Sequence, residues 1–367
     1  MMRALALAAE GVALAHPNPV VGAVLVKNGR VAGEGFHVYD KRDHAEIVAL
    51  KQAAKKARGA TLYVTLEPCC TTGRTGPCTN AIIAAGVKHV VAAMQDPNPA
   101  VAGRGFAQLR RAGIQVTVRV QEETAQRWNE DFAWWIRTGL PLVTLKTALT
   151  LDGRIATRKG STTWITGEQS REAVQQLRHE ADALLTGIGT ILVDDPRMSD
   201  RTGEPRRRRL LRAVVDSRLR MPLHSNLVKS AQGDVAVFTT RPIDSPKARA
   251  LTRAGVEVVR MPARRGHVDL KAVIRELGRR QMLNVLLEAG AALNGAALEA
   301  GLVDKMIFFY APTSMGPGGV PMASVSSRWF EKSPALANLR AFPYGQDLFV
   351  EGYFHDVYRN HRKRWKN

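Results

Sequence analysis

Cysteine is scarce in this chain. Three occur in 367 residues, at positions 69, 70 and 78, too few and too close together for a disulfide framework, and that usage points to a reducing cytoplasm. No apolar run approaches the ~20 residues that a bilayer-spanning helix needs. The N-terminus lacks a signal-peptide pattern; residues 2–14 are apolar but carry Arg3 and Glu10, and read as an amphipathic helix. Acidic residues are also short, 33 against 53 basic ones, which leaves a net charge of +20. Such an excess suits anionic small substrates or nucleic acid. The two local clusters, Arg206-Arg207-Arg208-Arg209 and His361-Arg362-Lys363-Arg364, lack the interleaved aromatics of a single-strand binder. A nucleic-acid partner is therefore not expected. There is no complete Gly-x-Gly-x-x-Gly fingerprint, no internal repeat and no low-complexity linker.

What remains is an ordinary globular composition, 45% hydrophobic and 23% charged, in a chain long enough for two domains. Val20–Val26 and Val31–Phe36 read as strands joined by the Asn28-Gly29 hairpin signal. A helix from about Asp43 carries His44 and Glu46. Leu62–Leu66 is the next strand, Thr79–Ala85 a short helix, and His89–Ala93 and Ile114–Val120 two further strands flanking a helix over Gly105–Ala112. Residues 122–138 read as one tryptophan-rich helix, ended by Thr138-Gly139-Leu140-Pro141. The domains are thus 1–141 and 142–367. The second half has strand-like runs at Val143–Lys146, Ala183–Thr186, Ala213–Asp216, Val235–Thr239, Val285–Glu288 and Lys305–Tyr310, with a helix over Glu168–His179. This alternation argues for α/β layers in both halves.

His44-Ala45-Glu46, Glu67-Pro68-Cys69 and Cys78 carry the chemistry of the first half. One imidazole and two thiolates suit a tetrahedral zinc ion with a position left open. Glu46 is close enough to face that metal without ligating it, the layout of the zinc-dependent nucleobase deaminases. The alternative is a structural site, which a fourth protein ligand normally closes. Cys70 is badly placed to do so, because neighbours on an extended chain point apart; a small buried residue or a helix start is the expected role. In the second half, Val285–Gly295 reads as a strand running into a helix through small residues. That pattern lets backbone N–H groups approach an anion or simply packs a tight junction. Gly187-Ile188-Gly189-Thr190-Ile191-Leu192 is a partial glycine motif.

The stretch His44–Glu46 with Glu67–Cys78 resembles the diaminohydroxyphosphoribosylaminopyrimidine deaminases of riboflavin biosynthesis. His16-Pro17-Asn18-Pro19-Val20-Val21-Gly22, Asp96–Pro99 and Val101–Gly105 are similar to that family as well. Eight residues separate Cys69 from Cys78, where cytidine, tRNA adenosine and editing deaminases have two. Thr71 and Thr72 depart from the family's usual histidines. Lys146–Arg154, Trp164-Ile165-Thr166, Val193–Met198, Val215-Asp216-Ser217 and Glu288-Ala289-Gly290 resemble the companion reductase. The resemblance implies a cytidine-deaminase-like three-layer α/β domain followed by a dihydrofolate-reductase-like domain. It implies zinc and NADPH as cofactors, a phosphoribosyl pyrimidine as substrate, no membrane, and a tendency to form homo-oligomers. Zinc would be held by His44, Cys69 and Cys78, with Glu46 as proton shuttle, Asn18 on the substrate and Arg74 on its phosphate. Ala148, Trp164, Thr190, Asp194, Ser217, Gly290, Ala291, Ala292, Leu293, Asn294, Gly295 and Ala296 would contact NADPH. Lys146, Thr162, Arg178, Met198, Arg201 and Glu288 would contact the reductase substrate. The competing reading is a nucleic-acid-acting zinc deaminase with a basic second domain.

Overall fold

Residues 1–157, 165–332 and 335–359 are described in the computed structural model. Two units emerge among the described residues, Met1–Thr138 together with Pro205–Arg208, and Gly139–Glu204 together with the described residues of 209–359. The tail cluster at 361–364 lies outside the described residues.

The first unit runs α1 (Met2–Ala9), β1 (Gly22–Lys27), β2 (Arg30–Phe36), α2 (Ala45–Ala53), β3 (Thr61–Leu66), α3 (Cys78–Ala84), β4 (His89–Met94), α4 (Arg104–Arg111), β5 (Gln115–Thr117), α5 (Glu122–Trp128) and α6 (Glu130–Thr138). Its sheet has the order β2-β1-β3-β4-β5. Strand β1 is antiparallel to both neighbours, while β3, β4 and β5 are parallel. Asn28 and Gly29 take φ of 51° and 73°, as a type I′ hairpin turn requires. Helices α2, α3 and α4 form one layer against the sheet and α1 and α5 the other.

Two glycines on one face of β2 set how closely α2 lies. A Cβ at Gly33 would sit 2.2 Å from Ala49 O, and one at Gly35 would sit 2.4 Å from Val48 Cγ1. The helix backbone therefore rides directly on the strand, and its first turn delivers His44 and Glu46. Gly33→Ala is expected to cost the first unit about 1–3 kcal/mol by overpacking; an unchanged melting temperature would contradict this close approach.

The single helix expected over 122–138 is two helices. Asn129 breaks it with φ −126° and ψ 18°. Its side chain accepts from Val20 N at 2.8 Å and donates to Val20 O at 3.0 Å. A buried amide thus pairs with the strand-like segment before β1, and this tertiary pairing overrides a helical periodicity.

The second unit comprises β6 (Leu142–Thr150), β7 (Arg154–Ala156), α7 (Glu168–Glu180), β8 (Ala183–Gly187), α8 (Ile188–Asp194), β9 (Leu211–Val215), α9 (Asn226–Lys229), β10 (Val235–Thr239), α10 (Pro246–Arg253), β11 (Val256–Arg260), β12 (Ala263–Arg264), β13 (His267–Val268), α11 (Leu270–Arg279), β14 (Asn284–Leu287), α12 (Ala291–Glu299), β15 (Lys305–Ala311), β16 (Val320–Pro321), α13 (Ser327–Lys332), β17 (Ala337–Tyr344) and β18 (Asp347–Tyr353). Nine strands form one sheet in the order β11-β10-β9-β8-β14-β6-β15-β18-β17. The seven from β11 to β15 are parallel, and β18 and β17 add an antiparallel edge. Leu184, Val214, Val237 and Leu286 pack with Ile188, Ile191 and Leu251 in its core. Because the seven strands share a direction, their carboxyl ends line one edge, where open α/β sheets bind ligands.

Candidate active sites

In the first unit, His44 is the residue before α2 and Cys78 is the first residue of α3. Cys69 lies in the loop after β3, held by Cys78 N donating to its sulfur at 3.3 Å and Thr79 N donating to its carbonyl at 3.1 Å. His44 Nδ1 is 3.5 Å from Cys69 Sγ and 3.2 Å from Cys78 Sγ. Ordinary zinc bonds to nitrogen and sulfur at a tetrahedral angle give an N-to-S edge of about 3.5 Å, so the donor set fits that ion. Among the described residues, these form the one group of three or more such side chains with ligand atoms all within 4.8 Å of one another, and three is one fewer than a closed structural shell uses. Cys70 is half-buried in the loop rather than buried or at a helix start, and it is not part of the cluster.

The charges of the cluster are those of a cation site. The Cys78 thiol hydrogen bond and His44 pull Cys69 down to about 4, while the same bond and burial push Cys78 up. Two sulfurs this close share one proton, and a dication would replace it. Glu46 follows His44 by two residues in the first turn of α2 and is 4% exposed. Burial pushes its carboxyl above the usual range, against the pull of His44 and a hydrogen bond with Cys78.

Three residues to which the sequence assigned no individual role support this site. His37, 3% exposed, sits edge-on to His44 with ring centroids 5.2 Å apart. Burial pushes it down to about 4, so it is neutral: Nδ1 donates to Asp43 O at 2.9 Å and Nε2 accepts from Asn18 Nδ2 at 3.0 Å. Arg207, from the basic run, folds with the first unit. It donates to Asp40 Oδ1 at 2.9 Å, to His16 O at 3.0 Å and, through its backbone, to Ala13 O at 2.9 Å. Its guanidinium lies 3.8 Å from the Tyr39 ring centroid, and that of Arg74 lies 4.0 Å from it. Arg74 also donates to Tyr39 O at 3.0 Å, while Thr71 and Thr72 are exposed in the same loop.

Glu67 is the third. Its carboxylate, 3% exposed overall, accepts from the backbone N–H groups of Asp96 (3.2 Å), Gly103 (2.9 Å), Gly105 (2.8 Å) and Phe106 (3.3 Å). It caps α4 from the end of β3 and fixes the chain two residues before Cys69. Gly105 is required by this approach, because a Cβ there would lie 2.2 Å from Pro68 O. Glu67→Gln replaces one acceptor oxygen by an NH₂ that faces two N–H donors. A loss on the order of 3 kcal/mol in the first unit is expected in denaturant unfolding, and an unchanged midpoint would refute the clamp.

In the second unit, Lys146, Arg178 and Glu288 converge. Register pairs Leu145 with Leu287, which brings Lys146 level with Glu288 just past β14. Arg178, on α7, donates through Nε and Nη2 to the two Glu288 oxygens at 2.9 and 2.8 Å, and Lys146 Nζ stands at 3.5 Å. Arg178 Nη1 also reaches Ser199 O at 3.2 Å, and Arg201 N reaches Gln175 Oε1 at 3.1 Å, so the loop bearing Arg201 is moored to α7. Arg201 itself is exposed. Met198 is buried in the apolar core, at 5% exposure.

The residues expected to meet the dinucleotide lie along the carboxyl edge. Ala148 is half-buried on β6; Thr190 is half-buried and Asp194 exposed on α8; and Ser217 follows β9. A Cβ built at Gly189 or Gly290 would meet nothing within 4 Å, so both backbones border open space, as a cofactor cradle requires. Ala291, Ala292, Leu293 and Ala296 are partly or fully exposed on α12. Asn294 instead donates to Ala289 O and Met322 O, and Gly295 is pressed on the Ser324 backbone. Both are spent on packing. Thr162 and Trp164 lie outside the described residues.

Both halves of the chain resemble known proteins. Residues 141–349 match the RibD C-terminal domain and residues 1–94 the cytidine and deoxycytidylate deaminase zinc-binding region. The chain is 40% identical to the riboflavin biosynthesis protein RibD of Aquifex aeolicus, over 95% of this chain and 96% of that protein. It is 42% identical to RibD of Escherichia coli over 86% and 88%. The solved structure of Acinetobacter baumannii RibD superposes with a TM-score of 0.84 at 36% identity, covering 96% of this chain and 97% of that one. A Thermotoga maritima structure described as a diaminohydroxyphosphoribosylaminopyrimidine deaminase/5-amino-6-(5-phosphoribosylamino)uracil reductase does so at 0.81 and 33%, with the same coverage. The chain belongs to the RibD family, the bifunctional enzymes of riboflavin biosynthesis that join a zinc-dependent deaminase to an NADPH-dependent reductase.

Proposed function

We propose that the first unit deaminates 2,5-diamino-6-(5-phosphoribosylamino)pyrimidin-4-one and that the second reduces the ribosyl group of the product to ribityl. The buried Glu46 carboxyl beside the His44, Cys69 and Cys78 donor set carries this reading. Zinc held by those three residues would supply the Lewis acidity that makes water a nucleophile near neutral pH. Glu46 accepts the water's proton and delivers it to the departing nitrogen; a carboxyl raised by burial suits a group that must gain and then lose a proton. Asn18, its NH₂ taken by His37, presents its carbonyl oxygen to a donor on the pyrimidine. In the second unit, NADPH would supply the hydride. Glu288 accepts from ribose hydroxyls, Lys146 lies beside them, and Arg178 and Arg201 suit the phosphate.

Near full-length RibD relatives favour this over a nucleic-acid-acting deaminase. Among the described residues, no helix is long and apolar enough to cross a membrane. We also infer a cytoplasmic homo-oligomer, which cell fractionation and light scattering test. Purified, zinc-loaded protein given the diaminopyrimidine should release one ammonia per substrate and then oxidise one NADPH. No ammonia release would end the deaminase assignment, and no NADPH oxidation with the deaminated product supplied would end the reductase assignment.

A further inference from the structure

The residues expected to touch the dinucleotide step outward along the sheet. Gly290 follows β14, Gly189 and Thr190 follow the adjacent β8, and Ser217 follows β9 beyond it. The reacting end must sit beside the Lys146, Arg178 and Glu288 cluster, at β6 and β14. The adenosine end therefore points away from it, past Ser217 and toward the last two parallel strands, β10 and β11. From β14 to β9 is only two strand spacings, about 10 Å.

At that place is an open cleft of about 360 Å³ lined by Thr240, Arg260, Met261, Pro262 and Ala263. Its walls are tied to Ser217. Thr240 Oγ1 donates to Ser217 O at 2.7 Å, Val268 N donates to Ser217 Oγ at 2.9 Å, and Met261 N donates to Thr239 O at 2.7 Å. Arg260 is level with Thr239 in the parallel register, and Arg241 lies two residues beyond Thr239. Both arginines are exposed, and among the described residues neither makes an ion pair. Asp269, whose N–H donates to Pro262 O of the lining, has its carboxylate already used: it accepts from Lys271 N at 3.0 Å as the cap of α11.

We propose that Arg241 and Arg260 hold the 2′-phosphate of NADPH and make this reductase prefer NADPH to NADH. The inference rests on the reading of the second unit as an NADPH-dependent reductase and assigns residues to its cofactor choice. A phosphate dianion matches the planar donor fork of a guanidinium, and two such forks on neighbouring strand ends flank one phosphate. The 2′-hydroxyl of NADH gives them no charge to meet, whereas an acidic residue at this place would favour it.

The test is equilibrium binding to the full-length protein, by calorimetry or by quenching of intrinsic fluorescence. The probes are NADPH, NADH and adenosine 2′,5′-bisphosphate. Arg241→Gln and Arg260→Gln are each expected to weaken NADPH and the bisphosphate about tenfold, and the double variant about a hundredfold. NADH should change by less than about twofold. Ammonia release and melting temperature, read on the same samples, should match the wild type. NADPH and NADH affinities that fall together, or a double variant that keeps its preference for NADPH, would overturn the proposal. Wild-type protein that binds NADPH and NADH equally would overturn it while leaving the reductase reading intact. Wild-type protein that binds neither would remove that reading as well.

Discussion

Glu46→Gln should abolish ammonia release while leaving both zinc content and NADPH-dependent reduction at wild-type levels. The carboxyl lies at the first turn of α2, 4% exposed, in a hydrogen bond with Cys78. Glutamine is nearly isosteric and keeps the burial, but it cannot take a proton from water or return one to nitrogen. Removing such a shuttle costs about 10²–10⁴ in rate, or about 3–5 kcal/mol of transition-state stabilisation. His44, Cys69 and Cys78 remain, so metal content by atomic absorption should not move. Reduction, assayed with the deaminated product supplied, uses residues of the other unit and should not move either. Ammonia release within tenfold of wild type would assign the proton transfer elsewhere. Loss of zinc together with activity would mean that Glu46 holds the site together rather than serving the reaction.

The parts of both sites that sequence made legible are those written locally. His44 and Glu46 are two residues apart on one helix start, and Cys69 and Cys78 flank one loop; the structure brings all four together. Strands with continuous apolar runs, such as β10 and β14, also stand where their composition put them. What escaped depends on distant partners. Glu67 stands within the motif around Cys69, yet its four N–H donors come from residues 96–106. Asn129 sits inside a helical periodicity and is claimed by Val20, 109 residues away. Arg207 looked like one charge in a run of four, and its work is done on Asp40, His16 and Tyr39. His37 carries no signal beyond being a histidine near another; only its burial against His44 and Asn18 gives it a role. The edge strand β17, largely exposed and without clean alternation, lacked the pattern that marks a half-buried strand. Met198, read as a substrate contact, turned inward because an apolar side chain beside Leu210 and Leu219 gains more in the core.

Glu288→Ala is expected to destabilise the second unit and stop NADPH oxidation while ammonia release continues. The glutamate, with its side chain 14% exposed, faces Arg178 and Lys146, themselves 17% and 11% exposed. Burial alone would raise its carboxyl, but Lys146 and then Arg178 outweigh burial and hold it at about 2. Without the carboxylate two cations are left facing each other in a poorly solvated place, which typically costs about 3–5 kcal/mol. Lys146 is already lowered by burial, so shedding its proton recovers part of that loss. The acid side supplies an independent check. The folded pKa lies below the unfolded value of about 4.3, so the stabilisation is complete above about pH 4.5. It disappears as pH falls toward 2, by about 3 kcal/mol. In wild-type protein, the unfolding free energy of the second unit should therefore drop through this window. In Glu288→Ala that part of the drop should be missing, so the two curves converge near pH 2. Glu288→Gln keeps the shape and one acceptor but removes the charge, and should lose the same acid dependence while unfolding less readily than the alanine variant. If wild type and Glu288→Ala ran parallel from pH 7 to pH 2, the carboxylate would not be the charge that holds Lys146 and Arg178 in place.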